Sequence, residues 1–297
     1  GLRTLSTDLL TPTPLNRFVA CAGASTCRLG IGLARHAARA CADALAEAGL
    51  APATLSALTI HLNGCSNACG QQPIAAIGLY GAAQRAGTRL APSYAVTLGG
   101  RCGTEGARLG RPAGKVPARA LPAFLRELAL DFQAGRRPDE PFVHYFDRRG
   151  PAHFEALVAR HAPLPDYQTR PDYYRDWGVE TDFSLAGRGA GECGAGVFEV
   201  IQQDLAAAQA ATAPFDMLLP TVRALLITRG VDAQEPDTVL REFERHFIDT
   251  GLVAESFRPL LARARGFTQG WAAALDDQLD SIRALRDRVA LLHSTLD

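Results

Sequence analysis

His61-Leu62-Asn63-Gly64-Cys65-Ser66-Asn67-Ala68-Cys69-Gly70-Gln71 is the stretch on which the reading of this chain turns. The alternating, β-prone run over 57–62 predicts a strand that ends in a loop carrying two thiols three residues apart. A second pair lies upstream, Cys21-Ala22-Gly23-Ala24-Ser25-Thr26-Cys27. It precedes residues 29–48, whose Ala, Leu and Arg content predicts a helix, closed by Gly49 with Pro52 just beyond. Both pairs therefore fall in loops at the ends of regular elements, where backbone amides point at anionic sulfur. Gly23, Gly64 and Gly70 let the backbone turn tightly and approach a bulky group.

Four thiolates are what a cubane iron–sulfur cluster requires, one per iron. Soft sulfur ligands suit such a centre better than they suit hard cations. Zinc also takes four thiolates, usually from pairs spaced by about two to four residues, and the C-x5-C loop is wider than that. Unrelated core thiols are the third reading, and spacing alone leaves all three open. The remaining cysteines are 41, 102 and 193, seven in all. An odd number without a secretion signal argues against a disulfide framework. Cys41, in mid-helix, reads as a core residue, Cys102 as a loop residue, and Cys193 as a small thiol in a glycine-rich turn over 187–196.

The 297 residues suggest about two domains. Thirty-one basic and 31 acidic side chains give no net charge, which argues against a nucleic-acid or membrane-surface partner. No stretch reaches the ~18 apolar residues of a membrane span, and we expect a cytoplasmic protein. The start, Gly1-Leu2-Arg3-Thr4-Leu5, is not a signal peptide and lacks an initiator Met, so a processed product or a piece of a longer chain is expected. Further strands are predicted over 74–80 and 94–98, and helices over 117–132 and 152–161. From residue 197 the pattern is helical, over 197–211, 215–229, 235–250, 256–264 and 269–294. The fold class expected is α+β, a mixed sheet followed by an all-α bundle. The expected domains are 1–145, a connector with aromatic and glycine-rich segments over 146–196, and a helical domain over 197–297.

Cys21 to Gly30 and His61 to Gln71 together resemble the paired signature of the sirohaem-dependent nitrite and sulfite reductases. The second motif of that family reads close to N/S-G-C-P-N-x-C-G-Q/R; Ser66 stands where Pro is common. The resemblance runs over about residues 15–200 and implies the cluster-bearing half of such an enzyme. By motif position it implies that Cys21, Cys27, Cys65 and Cys69 bind a [4Fe–4S] cluster and that Cys69 is also the axial ligand of sirohaem. It places Asn67, Gln71 and Thr26 beside the cofactors, with Ser25 a further donor; an Asx turn at Asn67 and simple loop capping by Ser25 and Thr26 are the alternatives. Arg17, Arg28 and Arg101 are loop cations within reach of sirohaem carboxylates, or plain surface arginines. The activity implied is six-electron reduction of sulfite to sulfide or nitrite to ammonia, fed by a ferredoxin or a flavoprotein. The basic pocket for a small anion belongs to the family's amino-terminal half, so a second half is expected as partner, in the same precursor or as a separate subunit.

The helical tail resembles HEPN-type bundles, and Arg241 and His246 match an R-x4-H form. Residues five apart do not share a face of a regular α-helix, so an oligomerisation or docking module is the expectation there rather than a nuclease. The alternative to a reductase part is a non-catalytic iron–sulfur electron-transfer or scaffold protein with a helical interaction domain.

Overall fold

A computed structural model of the chain describes residues 13–186, 195–270 and 275–295. It divides into a unit of residues up to 86 with 90–183, and a unit of 87–89 with 184 onward. The first contains β1 (Phe18–Ala20), α1 (Ala34–Glu47), α2 (Pro52–Ser56), β2 (Ile60–Asn63), β3 (Ile77–Ala86), β4 (Arg89–Leu98), β5 (Arg101–Gly103), β6 (Gly106–Arg108), β7 (Arg111–Pro117), α3 (Leu121–Gly135), α4 (Phe142–Arg149) and α5 (Pro151–His161).

Five of the strands make one sheet in the order β1-β2-β3-β4-β7, and β5 pairs with β6 separately. β1, β2 and β3 are parallel, with Phe18 opposite Ile60 and Ile60 opposite Ile77. β7 runs antiparallel to β4. The sheet is thus mixed, and the fold is α+β. Parallel neighbours need crossovers, and α1 with α2 supplies the one between β1 and β2.

The inner face of α1 is Ala34, Ala37, Ala38, Cys41 and Leu45, all buried. These are steps of three and four, the stripe a helix lays on a core. It packs on α3 and over β1 and β2. α3 adds Leu121, Phe124, Leu125, Leu128 and Phe132, and α5 adds Phe154, Leu157 and Val158. Edge-to-face aromatic contacts join Phe132, Phe142, Tyr145 and Phe154 at ring separations of 5.2–5.9 Å; such pairs add ~0.5–1.5 kcal/mol beyond the area they bury.

The helix expected from residue 29 starts only at Ala34. Gly30 and Gly32 disfavour helix in this stretch, and the amides of Ile31 and Gly32 both donate to the Gly64 carbonyl, which holds it as a loop. The new N-terminus is served from far along the chain: Asp176 Oδ2 accepts the Leu33 amide at 2.7 Å, where a carboxylate also meets the positive end of the helix dipole. The segment bearing Asp176 is fastened in turn by Arg119, which donates to the Asp172, Arg175 and Asp176 carbonyls, and by Trp177 Nε1 donating to Ala118 O at 2.7 Å.

In the second unit every regular element described is helical: α6 (Ala195–Ala210), α7 (Pro214–Ala224), α8 (Pro236–Phe243), α9 (Arg258–Thr268) and α10 (Leu279–Ser294), with a π-turn over Glu244–Ile248 following α8. α7 packs on α6, α8 and α10. Asp204 of α6 and Arg223 of α7 form a buried ion pair at 2.7 Å. The helix expected over 269–294 begins only at Leu279. Cys193 and the glycine-rich positions 187–194 lie outside the described residues.

Candidate metal centre

Strand β1 delivers Cys21 and strand β2 delivers Cys65, and because the strands are adjacent and parallel both cysteine loops leave the same edge of the sheet. Cys21 donates its amide to Leu62 O at 3.2 Å, one last ladder bond. Beyond it the two loops interlock through backbone. Gly64 O accepts from Ile31 N at 2.6 Å and from Gly32 N at 2.9 Å, and Gly64 N donates to Cys21 Sγ at 3.1 Å. Glycine is required on both sides of this junction: a Cβ on Gly64 would lie 2.6 Å from Gly23 Cα, and one on Gly23 would lie 2.6 Å from Gly32 O.

The junction gathers the thiols. Cys65 is buried, Cys21 half-buried, and Cys27 and Cys69 exposed. Burial pushes the Cys65 thiol up, the Asn67 backbone amide pulls it down, and Cys21, Cys27 and Cys69 each push it up as neighbouring charges. Cys21, Cys27 and Cys69 thus each lie within electrostatic reach of Cys65. Among the described residues no three His, Cys, Asp or Glu side chains close on a point that one metal ion would occupy. Cys41 is no part of this group; it is fully buried under α1, where burial raises its thiol far above the usual range.

The second loop is held by side chains that the motif alone does not single out. Asn63 is 1 % exposed. Its Oδ1 accepts from Gly70 N at 2.8 Å, and its Nδ2 donates to Gln72 Oε1. His61 Nδ1 meets Gly70 O at 2.6 Å; a carbonyl only accepts, so Nδ1 carries the proton. Gln72, itself buried, reaches Ser66 O at 3.5 Å. Between these anchors the backbone takes left-handed values at two non-glycine residues, Ala68 (φ 59) and Gln71 (φ 60). Each costs ~1–3 kcal/mol, which persists only where the surroundings over-determine the conformation.

Of the other residues that the motifs single out, Thr26 and Gln71 are exposed and Asn67 half-buried, and their side chains have no hydrogen-bond partner among the described residues. Ser25 Oγ donates to Ala22 O at 2.6 Å, a loop-capping bond. Arg17 donates to Ser56 O, Arg101 faces Glu105 at 3.8 Å, and Arg28 is exposed. Arg241 and His246 are not brought together: Arg241 engages Asp237 and His246 engages Glu242. His61, Asn63 and Gln72 were legible only as polar residues in or beside a strand. The one hint was the two-residue spacing of His61 and Asn63, which puts them on one face of β2.

No family model matches the chain. Over 123 residues, 40 % of the chain, it is 36 % identical to the ferredoxin–nitrite reductase of Synechococcus elongatus, a match covering 23 % of that protein. Over 141 residues, 47 % of the chain, it is 28 % identical to the assimilatory ferredoxin-dependent nitrite reductase of Haloferax mediterranei, covering 24 % of it. The solved structure of Mycobacterium tuberculosis NirA protein matches with a TM-score of 0.41 and 24 % identity, over 48 % of this chain and 27 % of that one. The chain thus spans about a quarter of the length of the curated relatives it matches. The two sequence matches are a likeness, over less than half of this chain, to ferredoxin-dependent nitrite reductases.

Proposed function

We propose that the first unit is the cluster-bearing part of a nitrite or sulfite reductase, with Cys21, Cys27, Cys65 and Cys69 as ligands of a [4Fe–4S] cluster and Cys69 shared with sirohaem. The observation that carries this reading is the backbone junction of Gly23, Gly32 and Gly64, which sets the two cysteine loops side by side. When bound, these groups would supply one-electron transfer and a site for reduction of a small anion.

The chain's own residues do the rest. Cys65 anchors the centre on the buried side, and exposed Cys69 presents its sulfur outward. Gly64 N–H and Asn67 N–H donate to the Cys21 and Cys65 sulfurs. Thr26, Asn67 and Gln71 stand beside the ligands with side chains available for polar contacts to the cofactors, and Arg28 is an exposed cation next to Cys27. In this reading a second, basic half acts as partner, a ferredoxin supplies electrons, and the complete enzyme works in the cytoplasm.

The competing reading is a non-catalytic iron–sulfur electron carrier or scaffold with a helical interaction domain. Anaerobic reconstitution with iron, sulfide and sirohaem separates the two: haem bands that vanish in Cys69→Ser support the reductase part, and a broad brown absorption alone supports the carrier. Zinc in place of iron, or a Cys69→Ser protein with unchanged iron and colour, refutes both. Cys41→Ser is the control that leaves the centre intact.

A further inference from the structure

The outer side of α1 carries a row of charge that works against its own helix. Arg35, Arg39, Asp43 and Glu47 follow one another at steps of four, and all are exposed. Like charges meet within each half of the row, Arg35 beside Arg39 and Asp43 beside Glu47, which repel at this spacing. Arg35 lies in the first turn and Glu47 in the last, each at the end of the helix dipole that favours the opposite sign. Among the described residues none of the four side chains has a hydrogen-bond or ion-pair partner. A groove of about 630 Å³ follows the row. Its far wall is Trp177, fixed by the bond from Nε1 to Ala118 O at 2.7 Å and by Arg119 stacked 4.4 Å from the ring centre. Ala40 also lines it and is too small to keep another backbone away.

We propose that this groove takes α1 of a second copy of the chain, packed antiparallel about a two-fold axis. The row reads plus, plus, minus, minus, so turning it end for end gives its own complement. In the pair Arg35 faces the partner's Glu47 and Arg39 faces the partner's Asp43, and the axis repeats both contacts. A two-fold interface requires this self-complementarity, because whatever one residue meets in a second, the second meets in the first. Rows at steps of four are also the ridges through which packed helices most often interlock. The antiparallel arrangement sets Arg35 beside the negative end of the partner's helix dipole and Glu47 beside its positive end. The charge order that is unfavourable in one helix is thereby favourable in two. A uniformly acidic partner would match the arginines but set like charge against Asp43 and Glu47, so the order of the row selects a second copy.

The test is sedimentation equilibrium of the full chain, with two charge-reversed variants. Arg35→Glu with Arg39→Glu makes the row wholly acidic, and Asp43→Arg with Glu47→Arg makes it wholly basic. The parent is expected to dimerise, and to dissociate as ionic strength rises toward about 1 M, where charges are screened beyond about 3 Å. Each variant alone sets like charges face to face, and its dimer dissociation constant is expected to rise about tenfold or more. An equimolar mixture of the two variants is expected to form the dimer again, which neither a misfolded variant nor a different interface would do. A single chain carrying all four changes is the second check, since its row is again self-complementary. A monomeric parent overturns the inference, as does a dimer that survives in both variants or a mixture that stays monomeric. Should the parent be monomeric and bind an acidic ferredoxin that the wholly acidic variant does not bind, the face belongs to that partner and the inference is overturned.

Discussion

Replacing Gly64 by Ala should part the two cysteine loops. The new Cβ would sit 2.6 Å from Gly23 Cα and 2.9 Å from Gly32 O. Both obstacles are backbone, so no side chain can swing aside. Relief requires the loops to separate, which weakens the bonds from Ile31 N and Gly32 N to Gly64 O and from Gly64 N to Cys21 Sγ. Taking overpacking at ~1–3 kcal/mol and each weakened bond at ~1 kcal/mol or less, we expect a loss of about 2–4 kcal/mol. For a unit of this size that lowers Tm by roughly 4–16 °C. The decisive control is Gly49→Ala. Gly49 also has a positive φ, 63, but a Cβ there meets nothing within 4 Å. Its cost is conformational only, about 1–2 kcal/mol, and it lies away from the thiols. Differential scanning calorimetry and iron analysis on the same preparations give both readouts. Gly64→Ala is expected to lose stability and iron together, and Gly49→Ala stability alone. A Gly64→Ala protein with wild-type iron and a Tm within the error of the parent would refute the claim that this junction builds the centre.

In the helical unit, Arg223→Met leaves Asp204 buried without its partner and should cost about 3–5 kcal/mol by urea denaturation, whereas the double change Asp204→Leu with Arg223→Met should return most of that loss. Glu140 is held down to about 2 by hydrogen bonds from Arg148, against burial that raises it; because its folded value lies below its ordinary 4.5, the pair stabilises above that pH and the contribution is lost as pH falls toward 2. Glu140→Gln should therefore lower Tm at pH 7 and leave it unaltered near pH 2, and a gap that persists in acid contradicts this assignment.

Much of this molecule could be read from local pattern. The thiol spacings, the glycines at 23, 64 and 70, and the inward stripe of α1 are all properties of residues close in the chain, and periodicity reports such properties directly. Local pattern also misled at the start of α1. Residues 29–33, Leu-Gly-Ile-Gly-Leu, fall outside the helix that the Ala-rich run after them predicts: their two glycines disfavour it, and the amides of Ile31 and Gly32 donate to Gly64, some 30 residues on. Short α2, the β5–β6 pair and β7 carry too few residues for periodicity to mark them.

What sequence by itself determined is the chemistry available: four thiols in two loops, a mixed α and β first part, and a helical continuation. Only the tertiary structure decided which backbone atoms touch. The parallel order of β1, β2 and β3, the meeting of Gly23 with Gly64, and the grip of His61 and Asn63 on Gly70 are contacts between positions whose separation along the chain leaves no periodic trace. They arise because strand pairing and glycine packing minimise unpaired polar groups and voids over the whole unit at once, a condition that no window of neighbouring residues can express.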